Sequence, residues 1–115
     1  MISKESMYNI KYSNQAEIDL NDAIEYIARE SVTNALRYLK NYEDKIELLK
    51  LNPEMGTECK NKLIKRECRV LVHASHIIIY NIDKNLGEIF IIRIYHGSVD
   101  YADGFNKEKI NAKKQ

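Results

Sequence analysis

Residues 67–100 read ECRVLVHASHIIIYNIDKNLGEIFIIRIYHGSVD. Three runs rich in β-branched and aromatic residues are separated by short polar interruptions, the second of which holds Gly87. This pattern predicts an antiparallel meander. The first run puts Cys68, Val70 and Val72 on one face and Arg69, Leu71 and His73 on the other. Ala74-Ser75 is the first turn, although it lacks the glycine or asparagine that tight hairpins prefer. The second run, His76 to Ile82, is apolar on both faces, which suits a strand flanked on both sides and largely covered. Lys84-Asn85-Leu86-Gly87 turns the chain again, since Asn85 and Gly87 tolerate positive φ. The last run, Glu88 to His96, sets Phe90, Ile92, Ile94 and His96 against Ile89, Ile91, Arg93 and Tyr95. Gly97 and Ser98 end it, so polar side chains gather at the finish: Arg93, Tyr95, His96 and Asp100.

A sheet of this kind needs a cover, and the upstream sequence supplies one. Residues 1–6 carry no pattern and read as a frayed terminus. Tyr8, Ile10 and Tyr12 alternate with Asn9 and Lys11, as in a short half-buried strand. Ser13 or Asn14 can cap a following helix. Its apolar positions are Ala16, Leu20, Ala23, Ile24 and Ile27, with Glu17, Asp19, Asp22 and Glu25 assigned to the solvent side. After a break between Arg29 and Thr33, Ser31 or Thr33 can cap a second helix whose stripe is Ala35, Leu39, Tyr42, Ile46 and Leu49. That helix ends at Asn52-Pro53, because the residue before proline leaves the helical region. Helices joined so closely lie antiparallel. The expected fold is therefore α+β: a helical hairpin on one face of a small, mainly antiparallel sheet, in the order β-α-α-β-β-β. A short C-terminal helix is weakly patterned over residues 103–111. A single domain spans 1–115, with a core from about 7 to 105 and flexible ends.

With 115 residues, 44% hydrophobic and 30% charged, the chain can bury a core without staples and is far from the composition of disorder. A net charge of +1 excludes a large cationic field. Local basic runs occur at Lys60, Lys62, Lys65, Arg66 and Arg69, and in the tail at Lys107, Lys109, Lys113 and Lys114. Solvated surface is the ordinary reading of such runs, and a face for phosphate or carboxylate is the sharper one. The only cysteines, Cys59 and Cys68, form no C-x-x-C pair, and no secretory segment precedes them. They read as free thiols of a cytoplasmic protein, Cys68 as a small core residue. No run is long enough to span a membrane.

The candidate site residues carry competing readings. Arg93, on an isoleucine-rich strand, requires a partner or an edge; a salt bridge to Asp100 or to an acid of the first helix is the structural alternative. An imidazole ordinarily titrates near neutrality, so His96 could move a proton, or it could cap a strand end through backbone hydrogen bonds. On an ideal strand Arg93 and His96 point to opposite faces, while Tyr95 shares the face of Arg93. Arg69 is the remaining contact for a phosphate or carboxylate. His73, His76 and His96 lack the close pairing typical of zinc ligands, so no metal or other cofactor is expected.

Taken together, the opening YNIKYS strand, Ala16, Asp19 and Leu20, Glu25-Tyr26-Ile27, Ala35, the exit Leu49-x-x-Asn52-Pro53-x-x-Gly56, Arg69, the I-I-I-Y run and the stretch from Ile89 to Asp100 resemble the RelE/ParE superfamily of toxins from type II toxin–antitoxin modules. The resemblance runs from about Tyr8 to Phe105. It implies a cytoplasmic toxin of a plasmid-stabilisation-like system, held by a cognate antitoxin in a hetero-oligomer. Two kinds of target are found on such a fold, so the fold does not settle the chemistry. RelE-like members cut messenger RNA on the ribosome without metal, which needs fixed cationic donors around a phosphorane; Arg69, Arg93 and His96 would be the catalytic set here. ParE-like members bind DNA gyrase and are not enzymes in their own right. The nuclease pattern has arginines where this chain has Ile77 and Gly97, and the R-I-x-H-x-x-x-D ending is closer to the ParE-like side. The favoured expectation is a gyrase-binding toxin; the alternatives are the nuclease or a degenerate toxin that retains only antitoxin binding. The expected contacts for antitoxin or target are Lys62, Lys65, Arg66, Arg69, Arg93, Tyr95, His96 and Asp100.

Overall fold

The structure, a computed structural model, describes residues 7–59 and 67–97. Its elements are β1 (Asn9–Tyr12), α1 (Asn14–Glu30), α2 (Val32–Leu51), a 3-10 turn (Pro53–Met55), β2 (Thr57–Glu58), β3 (Arg69–His73), β4 (His76–Asp83) and β5 (Glu88–His96). The two helices pack on a five-stranded mixed sheet of order β1-β5-β4-β3-β2. Among the described strands only the β1–β5 pairing is parallel. The expected α+β architecture and element order are present, with β2 as an addition where a loop was expected. Residues 1–6, Lys62, Lys65, Arg66, Asp100 and the weak helix at 103–111 lie outside the described residues.

Local chemistry explains the boundaries. Ser13 caps α1, its Oγ accepting from the Ala16 amide at 2.9 Å and donating to the Ile92 carbonyl at 2.7 Å. One hydroxyl thereby starts the helix and ties it to the sheet. Ser31 ends α1 through its amide and caps α2 through its Oγ, which accepts from Asn34 at 3.0 Å. A one-residue joint leaves the helices no choice but to fold back on each other. Asn52 and Pro53 end α2 as expected.

The main core lies between helices and sheet. Ala16, Tyr42, Ile46 and Leu49 meet Leu71, Ile78, Tyr80, Ile89, Ile91 and Ile94 there. On α2 the buried stripe takes Tyr38 where Leu39 was expected. The reason is polar as well as apolar: Tyr38 Oη reaches His76 Nδ1 at 3.1 Å while its ring packs on His73. A smaller cluster, Cys68, Ile79, Ile92 and Tyr95, occupies the opposite face of the sheet.

Two corrections bear on the site. Cys59 and Cys68 are not free thiols: they form a disulfide with Cα atoms 5.5 Å apart. The β2–β3 ladder pairs Thr57 with Val70 and Glu58 with Arg69, and so brings the two cysteines opposite each other. Strict alternation along the last strand also fails. Ile79 pairs with Arg93 but Tyr80 pairs with Ile91, leaving Ile92 as the extra residue of a β-bulge. Ile89, Ile91 and Ile94 therefore face the helices, whereas Ile92 and Tyr95 face away.

Candidate functional site

The bulge decides where the polar end of β5 goes. β1 pairs with β5 only from Glu88 to Ile91, so the rest of that edge is open to α1. Asp19, one turn into α1, fills the gap. Its Oδ2 accepts from Arg93 Nε at 2.7 Å and from the Ile94 amide at 2.9 Å. Its Oδ1 accepts from Arg93 Nη2 at 3.1 Å and from Gln15 Nε2 at 3.1 Å. The ion pair is bidentate and mostly shielded, with side-chain exposures of 17% for Arg93 and 9% for Asp19. Arg93 Nη1 also donates to Tyr95 Oη at 3.2 Å, and its guanidinium carbon lies 4.5 Å from the centre of the Tyr95 ring. The salt bridge to an acid of the first helix is thus realised.

Asp19 was misassigned to the solvent side. Its spacing from Ala16 and Ala23, three and four residues, puts it on the buried stripe of α1, and that signal was legible in the sequence.

His96 pairs across the sheet with His76, on the helix-facing side, with ring centroids 5.4 Å apart. Arg93 pairs with Ile79, which faces away from the helices. The bulge at Ile92 precedes Arg93 and so does not bring Arg93 and His96 onto one face. They meet only at the rim, where both line an open cleft with Asp22, Tyr26 and His76. Burial holds the His76 imidazole below its ordinary pKa, and its neighbours His96 and His73 add to this.

Arg69 stands apart from them. Its Nη2 donates to the carbonyls of Glu54 at 3.1 Å and Gly56 at 2.8 Å, and Glu58 lies 3.9 Å away. Beside it, Tyr80 Oη donates to the Pro53 carbonyl at 2.7 Å and accepts from the Gly56 amide at 3.0 Å. Arg69 and Tyr80 together fasten the exit of α2 to the sheet. Gly56 is required by this close approach, because a Cβ there would lie 2.6 Å from both Tyr80 Oη and the Val70 carbonyl.

The positions that a nuclease would fill with arginine have structural occupants. Ile77 packs against the smaller apolar cluster. The Gly97 amide donates to the Ser75 carbonyl at 2.6 Å, and a Cβ at 97 would meet that oxygen at 3.0 Å. Among the described residues no group of three or more His, Cys, Asp or Glu could hold a metal ion, and no helix is long and apolar enough to cross a membrane.

One broad concavity was not foreseen. It is a groove of about 1120 Å³ across the sheet face away from the helices. Lys11, Phe90 and Asn81 form its central row, and Cys68 and Cys59 continue that row at the β2 end. Phe90 is 40% exposed there, a large ring without a cover.

The sequence profile of the ParE toxin of the type II toxin–antitoxin system parDE matches residues 10–101. The chain belongs to the ParE toxin family. No curated protein matches it by sequence. Among solved structures, the ParE-family fold of this chain is similar to the chromosomal ParDE system from P. aeruginosa. The TM-score is 0.62 at 18% identity, covering 79% of this chain and 97% of that one. It is also similar to the RelBE2 toxin–antitoxin complex from Mycobacterium tuberculosis, with a TM-score of 0.53 at 19% identity, covering 78% and 98%. The archaeal RelE–RelB complex from Pyrococcus horikoshii gives 0.50 at 14%, covering 79% and 96%. At such identities the likeness is one of fold, shared by ParE-type and RelE-type toxins alike.

Proposed function

We propose that this ParE-family chain is a cytoplasmic toxin that arrests growth by binding DNA gyrase and is neutralised by a cognate antitoxin. The observation that carries this reading is the dispersal of the three side chains a nuclease would need. Arg93 is clamped by Asp19, Arg69 is spent on the carbonyls of Glu54 and Gly56, and His96 meets Arg93 only at the rim, from the other face of the sheet. A phosphorane needs its donors converging on one point. Here each cation supports the fold, so the open surface serves binding. That surface is the groove face around Lys11 and Phe90, whose exposed ring offers an anchor of the kind that dominates interfaces. Lys62, Lys65, Arg66 and Asp100 remain contact candidates on sequence grounds, as do Tyr95 and His96 at the far end of β5.

The purified protein added to a gyrase supercoiling reaction should block supercoiling or leave cleaved DNA, and Phe90→Ser should weaken the effect about tenfold. Inhibition that is absent at large excess, together with message cleavage in a translating extract, would replace this reading with the ribosome-dependent nuclease.

A further inference from the structure

We propose that Cys59 and Cys68 form a reversible oxidation site that sets how firmly β2 closes the end of the open-face groove. Among the described residues, little else holds β2. It has two residues and two register pairs, continued by the Cys59 amide donating to the Cys68 carbonyl at 3.0 Å. The preceding residues are differently secured: Arg69 holds the carbonyls of Glu54 and Gly56, and Tyr80 holds Pro53 and Gly56. Loosening can therefore start after Gly56 without disturbing the helix exit. The side-chain contact at Glu58, 3.9 Å from Arg69 with the carboxylate largely in water, adds little. The disulfide is the strong member of the set.

The two sulfurs are also unequally placed. Cys68 is 4% exposed and packs beside Ile79, Ile92 and Tyr95. Cys59 is half-buried and lines the groove, on the side from which a small molecule arrives. Accessible disulfides are the exchangeable ones. Closure follows from this placement. The Cys59 thiolate attacks one sulfur of a low-molecular-weight disulfide and expels the other half as a thiolate. Cys68, having lost its proton to solvent, then attacks the Cys59 sulfur and expels the second half. Two protein thiols are oxidised by two electrons, and one small disulfide becomes two thiols. Opening is the reverse, with the small thiol as reductant. Because both cysteines line the groove, opening moves its β2 wall and leaves Phe90, Lys11 and Asn81 where they are.

The test uses the full chain equilibrated in mixtures of reduced and oxidised glutathione, quenched with an alkylating agent and weighed intact. One transition between no alkyl group and two is expected within the mixtures. Alkylation of both cysteines in oxidised glutathione alone, or of neither in reduced glutathione alone, overturns the proposal. Amide exchange is then compared between the two forms. Reduction should speed exchange of Thr57 and Cys59 at least tenfold and leave Ile78 to Ile82 unchanged. The double variant Cys59→Ser, Cys68→Ser should show the reduced pattern in every buffer. Equal exchange of Thr57 and Cys59 in all three samples overturns the latch even if the bond forms.

Discussion

Asp19 accepts from four donors on two different elements, and the sheet edge beside α1 depends on it. A single α1 residue thus replaces the strand that would otherwise pair with β5 beyond Ile91. Asp19→Ala strands a shielded guanidinium and an amide together, so it should cost about 3–5 kcal/mol in urea unfolding. Arg93→Met should cost less, because the carboxylate keeps the Ile94 amide and Gln15. In the double variant the loss should fall clearly short of the sum. Additive losses would mean that the ion pair is incidental to the edge. This arrangement was half legible. That Arg93 needed an acid followed from its apolar strand, and Asp19 sits at core spacing with Ala16 and Ala23. A carboxylate nevertheless reads as solvent-facing until a buried cation is placed against it. At Ala74 the opposite happened: the turn was correctly placed although its sequence is poor, and the chain accepts a φ of 52° at a residue with a Cβ.

Among the elements, both helices, a cap for the second at Ser31 or Thr33, and the three long strands followed from periodicity and capping. Two features did not. A bulge needs no distinctive residue, so nothing in FIIRIY says that Ile92 is the extra one; its consequence is that every side chain after it changes face. β2 is too short for a pattern, and the disulfide that extends it depends on a pairing no local signal specifies. The exit of α2 was legible as a break, but its fastening was not. Tyr80 lies in an apolar run, and only the structure shows its hydroxyl bridging Pro53 and Gly56. Tyr80→Phe removes that bridge and leaves the Pro53 carbonyl and the Gly56 amide without it. It should destabilise the protein by about 1–3 kcal/mol in thermal or denaturant unfolding. Loss of less than a few tenths would show that water replaces the hydroxyl. Gly56→Ala should be worse than Tyr80→Phe, because its Cβ meets a backbone carbonyl as well as the ring hydroxyl.

At the scale of the molecule, the ends of the sheet differ in kind. One end carries the groove and the disulfide; the other gathers all three histidines, His73 and His76 against Tyr38 or Tyr42 of α2 and His96 against His76. The His73 Nε2 donates to the Tyr38 carbonyl at 3.3 Å, and Tyr38 Oη shares a hydrogen bond with His76 Nδ1. Burial depresses the pKa of both imidazoles below the ordinary 6.5; Lys45 adds to this at His73, and the other two histidines add to it at His76. Burial also drives the Tyr38 phenol up to about 12, so it stays protonated throughout the neutral range. The unfolded chain binds protons at these histidines at a higher pH than the folded chain does. Their contribution to stability is therefore complete above 6.5 and is lost as pH falls through the folded-state values. The unfolding temperature should fall by several degrees between pH 7.5 and 5.5, a window above the ordinary carboxylate range. His76→Gln keeps a side chain able to accept from Tyr38 and removes one titrating ring, so its fall over the same window should be visibly smaller. Parallel curves for the two proteins would assign the acid sensitivity to other groups.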